Sequence, residues 1–324
     1  MRRGASVLAN DSLLLLTALI WGMAFVAQRV GMEHVGPFTY NAIRFALGSL
    51  TLLPVVAIRG KRPAPPPPAA GRSGQESRGV PRAVWGVLPA GLVAGAILFF
   101  GSSFQQAGLV TTTAGKAGFI TGLYVVLVPL AGLLWGQRAG WSSWTGAVLS
   151  VIGLFLLSVT DSFTIERGDL LVLIGAFFWT AHVQVVGLFS PRIDAFRFSC
   201  LQFAVCALLC AAGAALTEQV TLAGTRAALW PILYGGVMSV AIAFTLQVVA
   251  QRHAPAAHAA IILSLETVFA AVGGIVVLGE GLAPRGAVGC AIMFCGMIVS
   301  QVPQIAASLA GRRTPRVDSS SGRL

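Results

Sequence analysis

A handful of residues in this sequence place charge where charge is costly. Glu266 is the only carboxylate set well inside a long apolar stretch, and at helical spacing it shares a face with Ala259, Ile262, Ala270 and Gly273. Putting an ionised side chain into hydrocarbon costs about 2.5–3.5 kcal/mol on insertion scales. A lone carboxylate there needs a structural partner, a ligand's ammonium group or a proton. Arg44 stands seven residues into another apolar stretch, roughly 10 Å from its start at 1.5 Å per residue. Tyr40 and Asn41 precede it by one helical turn, so the three can form a polar network. An arginine so placed holds either a carboxylate or the backbone carbonyls of a neighbouring helix. Lys116 lies about one turn into a third stretch, beside Thr112 and Thr113, with Thr121 and Tyr124 farther along. His182 follows Trp179 by three residues; it can relay a proton or serve as a satisfied structural group. Trp21 and Trp179 can wall a cavity or simply pack. Arg29 ends its stretch, within snorkelling reach of lipid headgroups, and Gln28 beside it carries less weight.

These candidates do not group into an enzyme's constellation. His34, His182, His253 and His258 are scattered, and the sequence has neither an HExxH pair nor a glycine-rich nucleotide loop. Cys200, Cys206, Cys210, Cys290 and Cys295 fall inside apolar runs without metal or redox spacing, which makes them packing residues. The expectation is a protein that is not an enzyme and uses no cofactor or metal. A passive channel would carry a pore ring and a sensor a soluble signalling domain; neither pattern is visible.

The elements that must position these residues are membrane helices. Of the 324 residues, 56% are hydrophobic and only 10% charged, more apolar surface than a soluble domain encloses. The 38 glycines suit helices that pack backbone to backbone or bend around a cavity. Ten apolar spans are predicted, at residues 12–31, 37–58, 83–104, 112–135, 142–159, 170–190, 195–216, 230–250, 257–278 and 283–302. Residues 59–82, with their PAPPPP run, and the tail at 311–324 have compositions that predict disorder. Pro89 and Pro129, inside the third and fourth spans, are expected to loosen the helical hydrogen bonding. With the N-terminus inside, the inner segments hold 16 of the 22 Lys and Arg. The outer loops hold only Arg167, Arg226 and Arg285. That bias answers the positive-inside rule, and it assigns the net charge of +11 to topology rather than to nucleic acid.

The two halves repeat. Asp11 precedes Trp21 by ten residues, as Asp169 precedes Trp179, an offset of 158. Gly136, Gly146 and Gly153 match Gly279, Gly289 and Gly296 at an offset of 143, and much of the change is the long linker found only in the first half. Five spans per unit is an odd number, so the second unit enters the membrane from the opposite side and the repeat is inverted.

The segments FFWTAHVQ, IVVLGEGLAPRGAVG and LLWGQRAGWSSWTG are similar to the paired repeats of the drug/metabolite transporter superfamily, and more narrowly to EamA-type proteins. The resemblance covers about Asp11 to Val302, with repeats at 11–160 and 169–303. It implies ten helices around a central cavity lined by parts of helices one, three, four, six, eight and nine. It also implies secondary transport of amino acids or other small metabolites, often outward. The sequence departs from the pattern once: the acidic junction Gly279–Glu280 is Gly136–Gln137 in the first half. Taken with the charged residues, the expected ligands are a carboxylate-bearing small molecule, at Glu266, Arg44, Lys116, Trp21, Trp179, His182, Tyr124 and Asn41, and protons. The chain is expected in a bacterial inner membrane, multi-pass, as a monomer or homodimer with both termini cytoplasmic. Reporter fusions within residues 59–82 test the topology: they are expected to be active only on the cytoplasmic side, and activity confined to the periplasm would reverse the orientation.

Overall fold

The fold is all-helical in a computed structural model that describes residues 2–59, 86–134, 136–137, 139–158, 166–279 and 284–310. The proline-rich segment after Arg59, Glu280 and the tail from Gly311 lie outside the described residues. The described helices form ten rods. They are α1 (Arg2–Gly31), α2 (Pro37–Arg59), α3 (Val87–Leu109), α4 (Ala114–Gly122 and Tyr124–Leu134), α5 (Trp141–Ser158), α6 (Arg167–Phe189), α7 (Ala195–Thr217), α8 (Leu229–Leu233, Tyr234–Phe244 and Thr245–Gln251), α9 (Ala256–Leu263 and Glu266–Leu278) and α10 (Pro284–Ala310). A short helix at Leu222–Ala227 precedes α8.

Each predicted span falls on one rod. Among the described residues, eight of the rods are long and apolar enough to cross a membrane. The other two are shorter: α5 has 18 residues, and the apolar part of α10 is Pro284–Ser300. Large apolar side chains such as Leu50, Leu208 and Val276 face outward, as a lipid-solvated surface requires, while the interior mixes large apolar groups such as Phe45, Phe203 and Leu98 with small and polar ones. α2 packs on α7, α3 on α6 and α7, α1 on α9, and α5 on α10.

The inverted repeat is visible in the packing. A methyl group on Gly146 would lie 2.8 Å from the Gly296 carbonyl oxygen, and one on Gly153 would lie 2.5 Å from that of Gly289. Because Gly146 corresponds to Gly289 and Gly153 to Gly296, this α5–α10 contact maps onto itself when the repeats are exchanged. That reciprocity marks a two-fold relation. The rods α4 and α9 end on Gly136 and Gly279, whose φ angles of +70° and +69° only glycine adopts without strain.

Both α4 and α9 are divided near mid-length, at Leu123 and at Ser264–Leu265, by a tightened turn that keeps right-handed helical angles, with Leu123 N and Leu265 N bonding three residues back to the Ile120 and Ile262 carbonyls. The first half of α4 packs on the second half of α9, and the first half of α9 on the second half of α4. Thr267 Oγ1 donates to the Gly118 carbonyl across the crossing at 2.9 Å. The symmetry fails at α8, where Tyr234–Phe244 is π-helical, a wide geometry that usually appears as single turns at functional sites. Its neighbour α1 fastens onto this segment: Trp21 Nε1 donates to the Ser239 carbonyl at 3.2 Å, and Tyr234 donates to the Ile20 carbonyl at 3.0 Å.

One local feature differs from expectation. α3 begins at Val87, so Pro89 sits in the first turn, where a backbone N–H has no intrahelical acceptor, and the helix is not loosened there. Pro129 does lie inside a helix, the second half of α4. At the start of α2, the Glu218 carboxylate at the end of α7 accepts from Phe38 N and Thr39 N at 2.8 Å each and from Thr39 Oγ1 at 2.6 Å. A carboxylate there meets the positive end of the helix dipole.

The glycine contact makes a stability prediction. Gly153→Leu forces α5 away from α10 and is expected to cost about 1–3 kcal/mol, read as a lower thermal midpoint in detergent. Gly140→Leu, where a methyl group would meet nothing closer than 4.0 Å, is the control. Equal midpoints for the two variants would contradict the close packing.

Candidate functional site

Where the two-part rods cross, the helices leave a cavity. Its lining comes from Trp21, Phe25 and Gln28 of α1, Arg44 of α2, Gln105 of α3, Thr121 and Tyr124 of α4, Trp179, His182 and Val183 of α6, Ser239, Phe244 and Gln247 of α8, and Glu266 of α9. The helices named by the family resemblance all contribute. α2 joins them through Arg44.

The wall is aromatic. Phe244 stands against Trp21 with ring centres 4.6 Å apart, stacks on Trp179 at 6.0 Å and meets the His182 ring edge-on at 5.7 Å. The geometry of Trp179 is fixed by its Nε1, which donates to Gln105 Oε1 at 2.7 Å. Gln105 in turn donates to Gln28 Oε1 at 3.2 Å. The imidazole of His182 is held through Nε2 by Gln202 Oε1 at 2.9 Å, while its Nδ1 has no partner.

Two charged groups complete the lining. Arg44 is 2% exposed and Glu266 3%, yet neither takes part in the ion pairs Lys116–Glu166, Lys116–Asp169 and Asp11–His258. Among the described residues neither cavity group forms an ion pair. The Arg44 guanidinium is oriented by neutral groups: Nε donates to Asn41 Oδ1 at 2.9 Å, and the group lies over the Phe45 and Tyr40 rings at 4.8 and 5.4 Å. Cation–π contact of this kind stabilises a desolvated guanidinium without neutralising it. Glu266 begins the second half of α9, directly after the break, where a helix N-terminus favours negative charge. The Tyr124 hydroxyl lies beside its carboxyl group.

Of the residues singled out in the sequence, Trp21, Arg44, Tyr124, Trp179, His182 and Glu266 meet in this one cavity. Asn41 does not line it and acts behind Arg44. Lys116 does not line it either. It lies at the start of α4, where it pairs with Asp169 at 3.5 Å and Glu166 at 3.8 Å, so it is also not the partner of Glu266. Arg29 is outside the lining, whereas its neighbour Gln28 is part of it. Gln105, Ser239, Phe244 and Gln247 were missed. Both polar atoms of the Gln247 amide are buried without partners. A glutamine in the middle of an apolar run is the signal that could have found it.

Fold and site together define a polytopic, all-helical membrane protein with a polar cavity between two repeats. Profiles of the EamA-like transporter family match residues 9–159 and again 166–301, so the chain belongs to that family. It is 29% identical over 297 residues to an uncharacterized transporter of Archaeoglobus fulgidus, covering 91% of this chain and 87% of that one. It is 22% identical to the uncharacterized transporter YoaV of Bacillus subtilis, over 87% of this chain and 93% of that protein. A crystal structure superposes with a TM-score of 0.70 at 18% identity, covering 91% of this chain and 98% of the other, which establishes a shared fold.

Proposed function

We propose that this chain is a secondary transporter that moves amino acids or closely related zwitterionic metabolites outward across a bacterial inner membrane by alternating access. The observation that carries the reading is the pair of buried ionisable groups of opposite sign on one cavity, Arg44 and Glu266, neither in an ion pair among the described residues. Keeping both groups ionised and unpaired in the dry cavity would cost several kcal/mol each. A ligand that brings a carboxylate to Arg44 and an ammonium to Glu266 neutralises both. An amino acid carries both groups, and the aromatic wall of Trp21, Trp179 and Phe244 receives the rest of the molecule.

The same carboxylate supplies coupling. An ammonium group and a proton are alternative ways to neutralise Glu266, so each displaces the other. Loading substrate from one side and a proton from the other produces exchange, with accumulation driven by a pH gradient. The basic bias of the loops supports a cytoplasmic position for both termini.

Purified protein in proteoliposomes tests this with a panel of amino acids. Arg44→Gln is expected to raise the half-saturating concentration about ten- to a hundredfold, the worth of a hydrogen bond to a charged group. Glu266→Gln is expected to abolish accumulation driven by a pH gradient in protein that elutes as a folded species. An unchanged half-saturation in Arg44→Gln would remove the carboxylate site, and an unchanged pH-gradient dependence in Glu266→Gln would remove the coupling.

A further inference from the structure

The repeated aspartates have no part in the cavity. Asp11 and Asp169 each precede a cavity tryptophan by ten residues, about 15 Å along a helix. The helices that carry them enter the membrane from opposite faces, so the two aspartates flank the cavity on opposite sides. Both are buried, at 8% and 6% exposure.

Their partners are matched as well. Asp11 Oδ1 accepts from His258 Nε2 at 2.8 Å, joining α1 to the start of α9. Asp169 accepts from Thr112 Oγ1 at 2.5 Å through Oδ1 and faces Lys116 Nζ at 3.5 Å through Oδ2, joining α6 to the start of α4. At the 143-residue offset that relates α4 to α9, His258 falls opposite Gly115, next to Lys116. Each contact therefore links the first helix of one repeat to the broken helix of the other, and exchanging the repeats carries one contact into the other. The chemistry differs, imidazole on one face and ammonium plus hydroxyl on the other, while the geometry is kept.

We infer that these two contacts are the gates of the transport cycle: Asp11–His258 closes the cavity toward the face bearing the N-terminus, and Asp169–Thr112–Lys116 closes it toward the opposite face. In this structure both are formed. Opening one face separates the first half of a broken helix from the first helix of the other repeat, and the break near Tyr124 or Glu266 lets that half move while the cavity half stays. A charge-assisted hydrogen bond that must break before one face opens sets the balance between the two open states. The assignment rests on the alternating-access part of the proposed function and is independent of which substrate is carried.

Hydrogen–deuterium exchange on full-length protein in lipid nanodiscs, without added substrate, tests it. Asp11→Asn is expected to speed exchange at residues 256–263 roughly tenfold, the loss of one charge-assisted bond, and to slow it at 114–122. Asp169→Asn is expected to do the reverse. The swap Asp11→His with His258→Asp is expected to restore the wild-type pattern at 256–263. Faster exchange at both ends in either variant marks the contacts as simple structural supports and overturns the gate assignment, as does a swap that fails to restore the pattern in protein with wild-type thermal stability. Arg44→Gln, which disables the proposed binding site, is expected to leave this exchange pattern unchanged, so failure of the substrate reading and failure of the gates are told apart.

Discussion

Two buried ionisable groups of opposite sign share a cavity, and among the described residues neither forms an ion pair. A guanidinium and a carboxylate taken out of water are tolerated only where something offsets the lost hydration. Around Arg44 that offset is partial: one bond from Nε to Asn41 and the faces of Tyr40 and Phe45. Around Glu266 it is the N-terminal end of a half-helix and a neighbouring tyrosine hydroxyl. The surrounding architecture keeps these groups apart. α2 is fixed at its start by Glu218 of α7, and the break in α9 places Glu266 at a helix end instead of mid-helix.

The divided helices are where the proposed cycle bends the fold. A continuous helix through the membrane centre would carry its hydrogen bonds unbroken past the cavity. The tightened turns in α4 and α9 lie where the backbone is enclosed by protein and borders a polar space. Where α4 and α9 cross, each half-helix packs on the opposite half of the other rod, so displacement of one half need not displace the whole. The glycine contact between α5 and α10, by comparison, packs backbone on backbone with no slack, which suits a fixed axis between the repeats.

Much of this was legible in the sequence because membrane insertion leaves strong marks. Apolar runs located the rods, although α1 begins ten residues before its predicted span and α10 ends eight after, and the glycines at 136, 146 and 153 with their partners at 279, 289 and 296 exposed the repeat because 146, 153 and 296 leave no room for a side chain and 136 and 279 take a positive φ. Glu266 and Arg44 stood out because charge in hydrocarbon is costly. The same reasoning failed for Lys116: its depth was read along α4 alone, and its anions come from the start of α6, which no local pattern reveals. Gln105 and Gln247 escaped because an amide carries no charge to explain. Ser239 and Phe244 escaped because the π-helical stretch turns α8 out of the 3.6-residue register. The role of Asp11 was hidden in the same way, since its partner His258 is 247 residues away.

The account depends on the cavity binding a molecule that carries both charges at once. Calorimetric titration of the purified protein with an amino acid, its deaminated acid and its decarboxylated amine measures this directly, with no dependence on gradients or orientation. The prediction is saturable binding of the zwitterion, with the acid and the amine each at least about tenfold weaker, because each leaves one of Arg44 and Glu266 buried without a counter-ion. Equal affinity for all three, or tightest binding of a ligand without either group, would contradict it.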